Sequence, residues 1–193
     1  MDALLAGLES PEPGDDEVDT AMLDATSSLL ATYGLHRWTM DDVASRAGLG
    51  RATVYRRFAS RDDLVHATLL RDARRYFAAI AAAVNDVESV EDKVVEGFLV
   101  GCQLLRGAPA TALLMADPRR VMALGRAALV ERYQIVNGVP LSGPARADAE
   151  LVAEALVRLG LSFVLMPDST IDLDDTEGAR RALRRLLGPL LAY

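Results

Sequence analysis

The sequence predicts an all-α protein: an N-terminal three-helix head followed by a larger helical body. Three observations carry this. Ala, Leu and Arg dominate, and runs of β-branched residues are few. Two short stretches of helical apolar spacing meet at Gly48-Leu49-Gly50. Near the C-terminus, two long segments carry leucines and alanines at three- and four-residue intervals. With 193 residues, 51% of them hydrophobic, the chain can bury a real core and is not disordered throughout.

Residues 1–17 read as a mobile acidic tail bearing Pro and Gly. The first helix is expected over Asp19–Tyr33, with Ala21, Met22, Ala25, Leu29 and Leu30 inward and Gly34 as its stop. Leu35-His36-Arg37-Trp38 is a short link. His36 reads as a surface residue, and Trp38, the sole tryptophan, as packing beneath the first helix. Thr39 is a good N-cap for the next helix, and Asp41 and Asp42 suit its positive end. Met40, Val43, Ala44 and Ala47 then mark one buried stripe, and Gly48-Leu49-Gly50 supplies a sharp turn in which Leu49 plugs the core. Val54 and Phe58, four apart, set the inner face of the following helix and leave Arg51, Thr53, Arg56 and Arg57 outward. An apolar angle with a basic second helix fits a helix-turn-helix, whose second helix enters the DNA major groove.

AGLGRATVYRRF followed by Ser60-Arg61-Asp62-Asp63-Leu64 resembles the N-terminal signature of the TetR-type (tetracycline-repressor-like) transcriptional regulators. The matching positions are Val43, Ala44, Ala47, Gly48, Leu49, Arg51, Thr53, Val54, Tyr55, Phe58, Ser60, Arg61 and Leu64. Gly50 departs from the usual Ser and loses a capping hydroxyl with its phosphate contact; Ala52 replaces a frequent Gly. By this resemblance the DNA-binding set is Thr39, Gly50, Arg51, Ala52, Thr53, Tyr55, Arg56 and Arg61. Tyr55, Thr39 and Arg61 match backbone-holding positions; Arg51, Thr53 and Arg56 are the candidates for the groove. Residues 18–64 would be the DNA-binding domain, and 65–193 the ligand-binding and dimerisation domain.

A net charge of -7 is unusual for such a partner, but its distribution accounts for it. Residues 1–19 hold seven acids and no Lys or Arg, whereas residues 34–75 hold nine Arg against five Asp. Local charge, not whole-chain charge, governs binding to nucleic acid.

Further on, Ser60 caps a long fourth helix to about Asn85, with Leu64, Thr68, Ala73, Phe77, Ile80 and Val84 inward. A helix from Ser89 or Val90 places Val94, Val95, Phe98, Leu99, Cys102 and Leu105 inward, and Gly107 and Pro109 break it. A short helix over Ala110–Ala116, a helix from Pro118 to about Val136, a loop over Asn137–Pro144, a helix over Ala145–Met166 and a last helix from about Asp174 complete the chain. The last bears an apolar stripe (Leu183, Leu186, Leu187, Leu190, Leu191) and Arg180, Arg181, Arg184 and Arg185 largely away from it, an acid-paired solvated face.

Catalysis has little material. Two His and one Cys are present, with no HExxH, GxSxG, CxxC or P-loop pattern, so no catalytic residue, metal or cofactor is expected. Gly48-Leu49-Gly50 starts like a dinucleotide fingerprint, but Thr53 stands at the third Gly position and no strand precedes it. One cysteine forms no internal disulfide, no stretch reaches the roughly 18 apolar residues of a membrane span, and the acidic start lacks a signal peptide's basic residues; a cytoplasmic protein without membrane contact is expected.

The function these readings favour is a ligand-responsive repressor binding a near-palindromic operator. A helical adaptor or small-molecule-binding protein of the same fold without specific DNA binding is the alternative. The resemblance further implies a homodimer through the last two helices, for which Leu156 and Phe163 are candidate partner-facing residues. It also implies a small, largely hydrophobic effector in the body. Candidate lining residues are Phe98, Cys102, Leu105, Leu114, Met115, Met122 and Phe163, with Arg126, Tyr133 and Ser162 as orienting polar groups.

Overall fold

The computed structural model describes residues 16–35, 37–106, 108, 118–137 and 140–191. The tail up to residue 15, His36, the short helix expected over Ala110–Ala116 with Leu114 and Met115, and residues 138–139 of the expected loop lie outside them. Eight helices occupy the described residues, and no strand: α1 (Glu17–Tyr33), α2 (Met40–Ala47), α3 (Arg51–Arg57), α4 (Arg61–Ala83), α5 (Val90–Arg106), α6 (Pro118–Asn137), α7 (Gly143–Leu165) and α8 (Thr176–Leu191). The all-α expectation is borne out. Two compact units are distinguished, the first ending at Phe77 within α4 and the second beginning at Ala78.

In the first unit the helix ends follow local chemistry. Asp16 accepts the Val18 N–H at 3.1 Å and so starts α1 ahead of Asp19. Gly34, at φ 68°, closes that helix. Thr39 and Asp42 form a reciprocal cap on α2: the Thr39 hydroxyl accepts the Asp42 N–H, and the Asp42 carboxylate accepts the Thr39 N–H at 2.7 Å. Those Thr39 hydrogen bonds hold the Asp42 carboxyl below the usual range. Gly48 adopts a left-handed φ of 69°, and the Leu49 N–H reaches back to the Ala44 carbonyl at 2.9 Å, a turn a side chain at residue 48 would strain. Ser60 caps α4 through the Asp63 N–H. The core contains Met22, Leu29, Leu30, Trp38, Met40, Val43, Val54 and Leu64, with Leu49 and Phe58 packed against it.

Apolar spacing missed one core feature. Arg71 on α4 is buried; its guanidinium reaches Asp24 of α1 at 2.7 Å and Asp72 at 2.8 Å, while Ser27 of α1 donates to Asp72 at 2.8 Å. A buried cation holds only when paired in this way.

In the second unit, α5, α7 and α8 share a core of Val95, Leu99, Cys102, Leu156, Phe163, Leu173, Leu183 and Leu187. Gln103 donates to the Leu173 carbonyl at 2.6 Å, pinning the segment before α8. That helix begins at Thr176 because the Asp175 carboxylate accepts the Gly178 N–H. Arg180 pairs with Glu96 and Glu177, and Arg184 with Asp92, so half of the basic cluster on α8 is neutralised by acids. Gly125 of α6 lies against α7: an added Cβ would stand 2.9 Å from Val157 Cγ2. Gly125→Ala gains roughly 0.5–1 kcal/mol of helix propensity. Overpacking outweighs that at about 1–3 kcal/mol, so a lower urea midpoint is expected; an unchanged or raised one would refute the close approach.

Candidate nucleic-acid interface

The turn at Gly48 and the packing of Val54 fix which side of α3 meets solvent. Val54 is fully buried, and Arg51, Ala52, Tyr55 and Arg56 are exposed, Tyr55 to 53%, with Thr53 half-buried between them. Gly50 occupies the N-cap without a side-chain bond, so the first N–H groups of α3 have no hydroxyl partner there. Thr39 is exposed, but its hydroxyl is engaged with Asp42. Six of the eight predicted residues thus belong to α3 and its cap; Thr39 and Arg61 sit at the starts of α2 and α4.

Arg61 is held in an unusual way. Its guanidinium lies 4.3 Å from the centroid of the Trp38 ring, and its Nε and Nη2 are buried without a hydrogen-bond partner among the described residues. The indole N–H donates to the Gly34 carbonyl at 2.9 Å, and Trp38 is only 4% exposed. The packing role expected of Trp38 is what the structure has. A cation stacked on a fixed aromatic face is preorganised.

The arginines of α3 are not equivalent. Arg57 pairs with Asp16 and, at 3.1 Å, with Asp19, which ties the end of α3 to the start of α1 and takes Arg57 out of the set of simple solvated residues. Arg51 pairs with Asp41 of α2 at 2.5 Å. Sequence reasoning missed these pairs; the available signal was an acid in the first turn of each helix preceding α3.

In the body, the structure brings some predicted ligand residues together. Phe98 and Phe163 meet edge to face at 6.0 Å, and Cys102 and Phe98 both approach Gly160. Burial pushes the Cys102 thiol up to about 12, which makes it an inert apolar group at neutral pH. Leu105, Met122 and Ser162 are half-buried, Arg126 is held by Glu154 at 3.3 Å, and Tyr133 is exposed. Leu156 and Phe163 are core residues of the body itself, largely covered within one chain.

Residues 22–68 match the family model of the bacterial regulatory proteins of the tetR family. An HTH-type transcriptional regulator of Mycobacterium tuberculosis, AlkX, is 30% identical over 165 residues, spanning 76% of this chain and 74% of that protein. The chain belongs to the TetR family. An uncharacterized HTH-type regulator of Mycobacterium bovis is 40% identical over 106 residues, 55% of this chain and 50% of the relative. Two solved structures share the fold: a fatty acid degradation regulator, FadR, from Bacillus halodurans (TM-score 0.61, 16% identity, 89% of this chain and 96% of that one) and the TetR family repressor AlkX from Dietzia, implicated in biodegradation of n-alkanes (TM-score 0.55, 21% identity, 95% and 98%). This TetR-family chain is a transcriptional regulator with DNA as its partner, and its relatives are regulators by name, which speaks against an enzymatic role. Among the described residues no cluster of ligating side chains could hold a metal, and no helix is long and apolar enough to cross a membrane.

Proposed function

We propose that this regulator is a cytoplasmic repressor that binds a near-palindromic operator as a homodimer and leaves it when a small hydrophobic molecule enters the body. The observation that carries the DNA half is the solvent-facing side of α3, where Arg51, Thr53, Tyr55 and Arg56 stand together beyond a buried Val54. Residues 18–64 supply that surface, and residues 65–193 the effector and dimer functions. A two-fold dimer presents two such helices about 34–36 Å apart, one DNA turn. Support for the dimer comes from apolar side chains left on the outside of one chain: Leu151, Leu165 and Met166 at α7 and Leu186 on α8. Support for an aliphatic effector comes from the apolar cluster of Phe98, Cys102 and Phe163, and from two fold relatives whose names concern fatty acid degradation and n-alkane biodegradation.

The test is selection of a site from a random duplex pool, beside the DNA upstream of the chain's own gene. A gel shift then follows with and without a long-chain alkane or fatty acid. Equal affinity for the selected site and random duplex would sink the repressor reading; an operator complex untouched by either additive would sink the aliphatic effector. Arg56→Ala and Thr53→Ala are expected to weaken operator binding more than random binding, by about 1–3 kcal/mol for an arginine reading a guanine edge. Arg61→Ala should weaken both alike and lower the salt slope by about one, as loss of a phosphate contact does.

A further inference from the structure

The pairing of arginines on α3 has two different forms. At its C-terminal end, Arg57 is held by Asp16 and Asp19; Asp16 also caps α1, and Asp19 is largely covered, so that pair fastens two helices. At its N-terminal end, Arg51 is held by Asp41 alone, both side chains lie open to solvent, and the cap of α2 is made by Thr39 and Asp42 instead. Asp41 therefore has one visible partner among the described residues. Arg56 has no acid partner there.

We infer that Asp41 is a positioning residue that sets the specificity of DNA reading by holding Arg51 for a neutral base edge and against phosphate. The proposal rests on the DNA reading above. Asp41 engages one terminal nitrogen, Nη2, of a guanidinium that has five donors. The remaining donors are free for a guanine edge, which offers two acceptors and no net charge. A phosphate approaching the same guanidinium meets the Asp41 carboxylate as a like charge. Random DNA is bound almost wholly through phosphates, so Asp41 subtracts from random binding while leaving, and orienting, the contact that discriminates. A pair this exposed is weak, which makes the effect a few-fold and lets the arginine exchange partners.

The experiment uses the full chain and two duplexes, the selected operator and a random sequence of the same length, each titrated with salt. D41N, and D41S as a second variant with a different side chain, are first checked for an unchanged thermal melt, since Asp41 also sits in the first turn of α2. Expected are random-duplex binding tighter by about two- to five-fold at 0.1 M salt, a random-duplex salt slope steeper by up to about one, and no matching gain on the operator. The specificity ratio falls accordingly. In an R51A background, D41N should change nothing. An unchanged random-duplex affinity, an equal gain on both duplexes, or the same gain with Arg51 absent would overturn the proposal, the last by reducing Asp41 to one diffuse negative charge. A wild type with no operator preference would instead defeat the DNA reading, so the two failures are distinct.

Discussion

Replacing Leu151 by Arg is expected to leave a folded monomer with operator affinity reduced by at least about a hundred-fold, the size of the advantage that linking two binding modules confers. Leu151 is 70% exposed on α7, so an arginine there meets water in the isolated chain and costs the fold little. The same helix turns Ala153, Leu156, Phe163 and Val164 inward, so its outer side is surplus to its own body. In a two-fold interface every substitution occurs twice, and an arginine facing its symmetry mate adds like-charge repulsion to the lost apolar burial. Without the dimer each head binds one half-site alone. Leu156→Arg would be a poor test: Leu156 is 8% exposed and inside the core, so a cation there unfolds the body whether or not the chain pairs. Sedimentation at micromolar concentration and a gel shift on the full and half sites decide the matter. A Leu151→Arg protein that still dimerises, or a wild type that does not, would remove α7 from the interface.

The helix-turn-helix was legible because its punctuation is local. Thr39 and Asp42 cap within four residues, Gly48 takes a conformation that few other residues adopt, and Val54 with Phe58 sets the phase of α3. The solvent-facing side of α3 followed from that phase alone. What was not legible depends on which distant residues meet. Nothing in the spacing around Arg71 marks it as buried; the fold brings Asp24 of α1 to it beside Asp72. Arg57 could be told from Arg56 only once α1 brought Asp16 and Asp19 to it. In α7 a leucine at helical spacing reads the same whether it packs inside, as Leu156 does, or stays outside, as Leu151 does, because periodicity marks apolar faces without saying what covers them. The start of α8 moved for a smaller reason: of two adjacent aspartates, Asp175 caps the helix, while the N–H of Asp174 bonds back to Asp172.

Trp38→Ala is expected to cost the head about 3–5 kcal/mol, the usual loss for truncating a buried tryptophan. That is a large part of the roughly 5–15 kcal/mol that holds a domain folded. Three interactions go at once. The ring leaves a void among the core residues grouped around Met22, Leu30 and Val43. The Gly34 carbonyl loses the indole donor that ties the end of α1 to the link before α2. Arg61 loses the surface over which its guanidinium is stacked. For a unit of this size the melting point should drop on the order of 20 °C. Trp38→Phe separates the contributions. It keeps an aromatic face for Arg61 and most of the volume but removes the N–H, so about 1 kcal/mol should be lost with that hydrogen bond, plus a share for the smaller ring. If Arg61 is a phosphate anchor held ready by that ring, the Phe variant should keep the wild-type salt slope on random duplex. The Ala variant, measured cold enough to stay folded, should resemble Arg61→Ala. Circular dichroism melts and salt titrations read both effects. A Trp38→Ala protein within about 1 kcal/mol of wild type would mean that the head repacks around the gap; a Phe variant that loses the slope would mean that the indole itself, not its aromatic face, places Arg61.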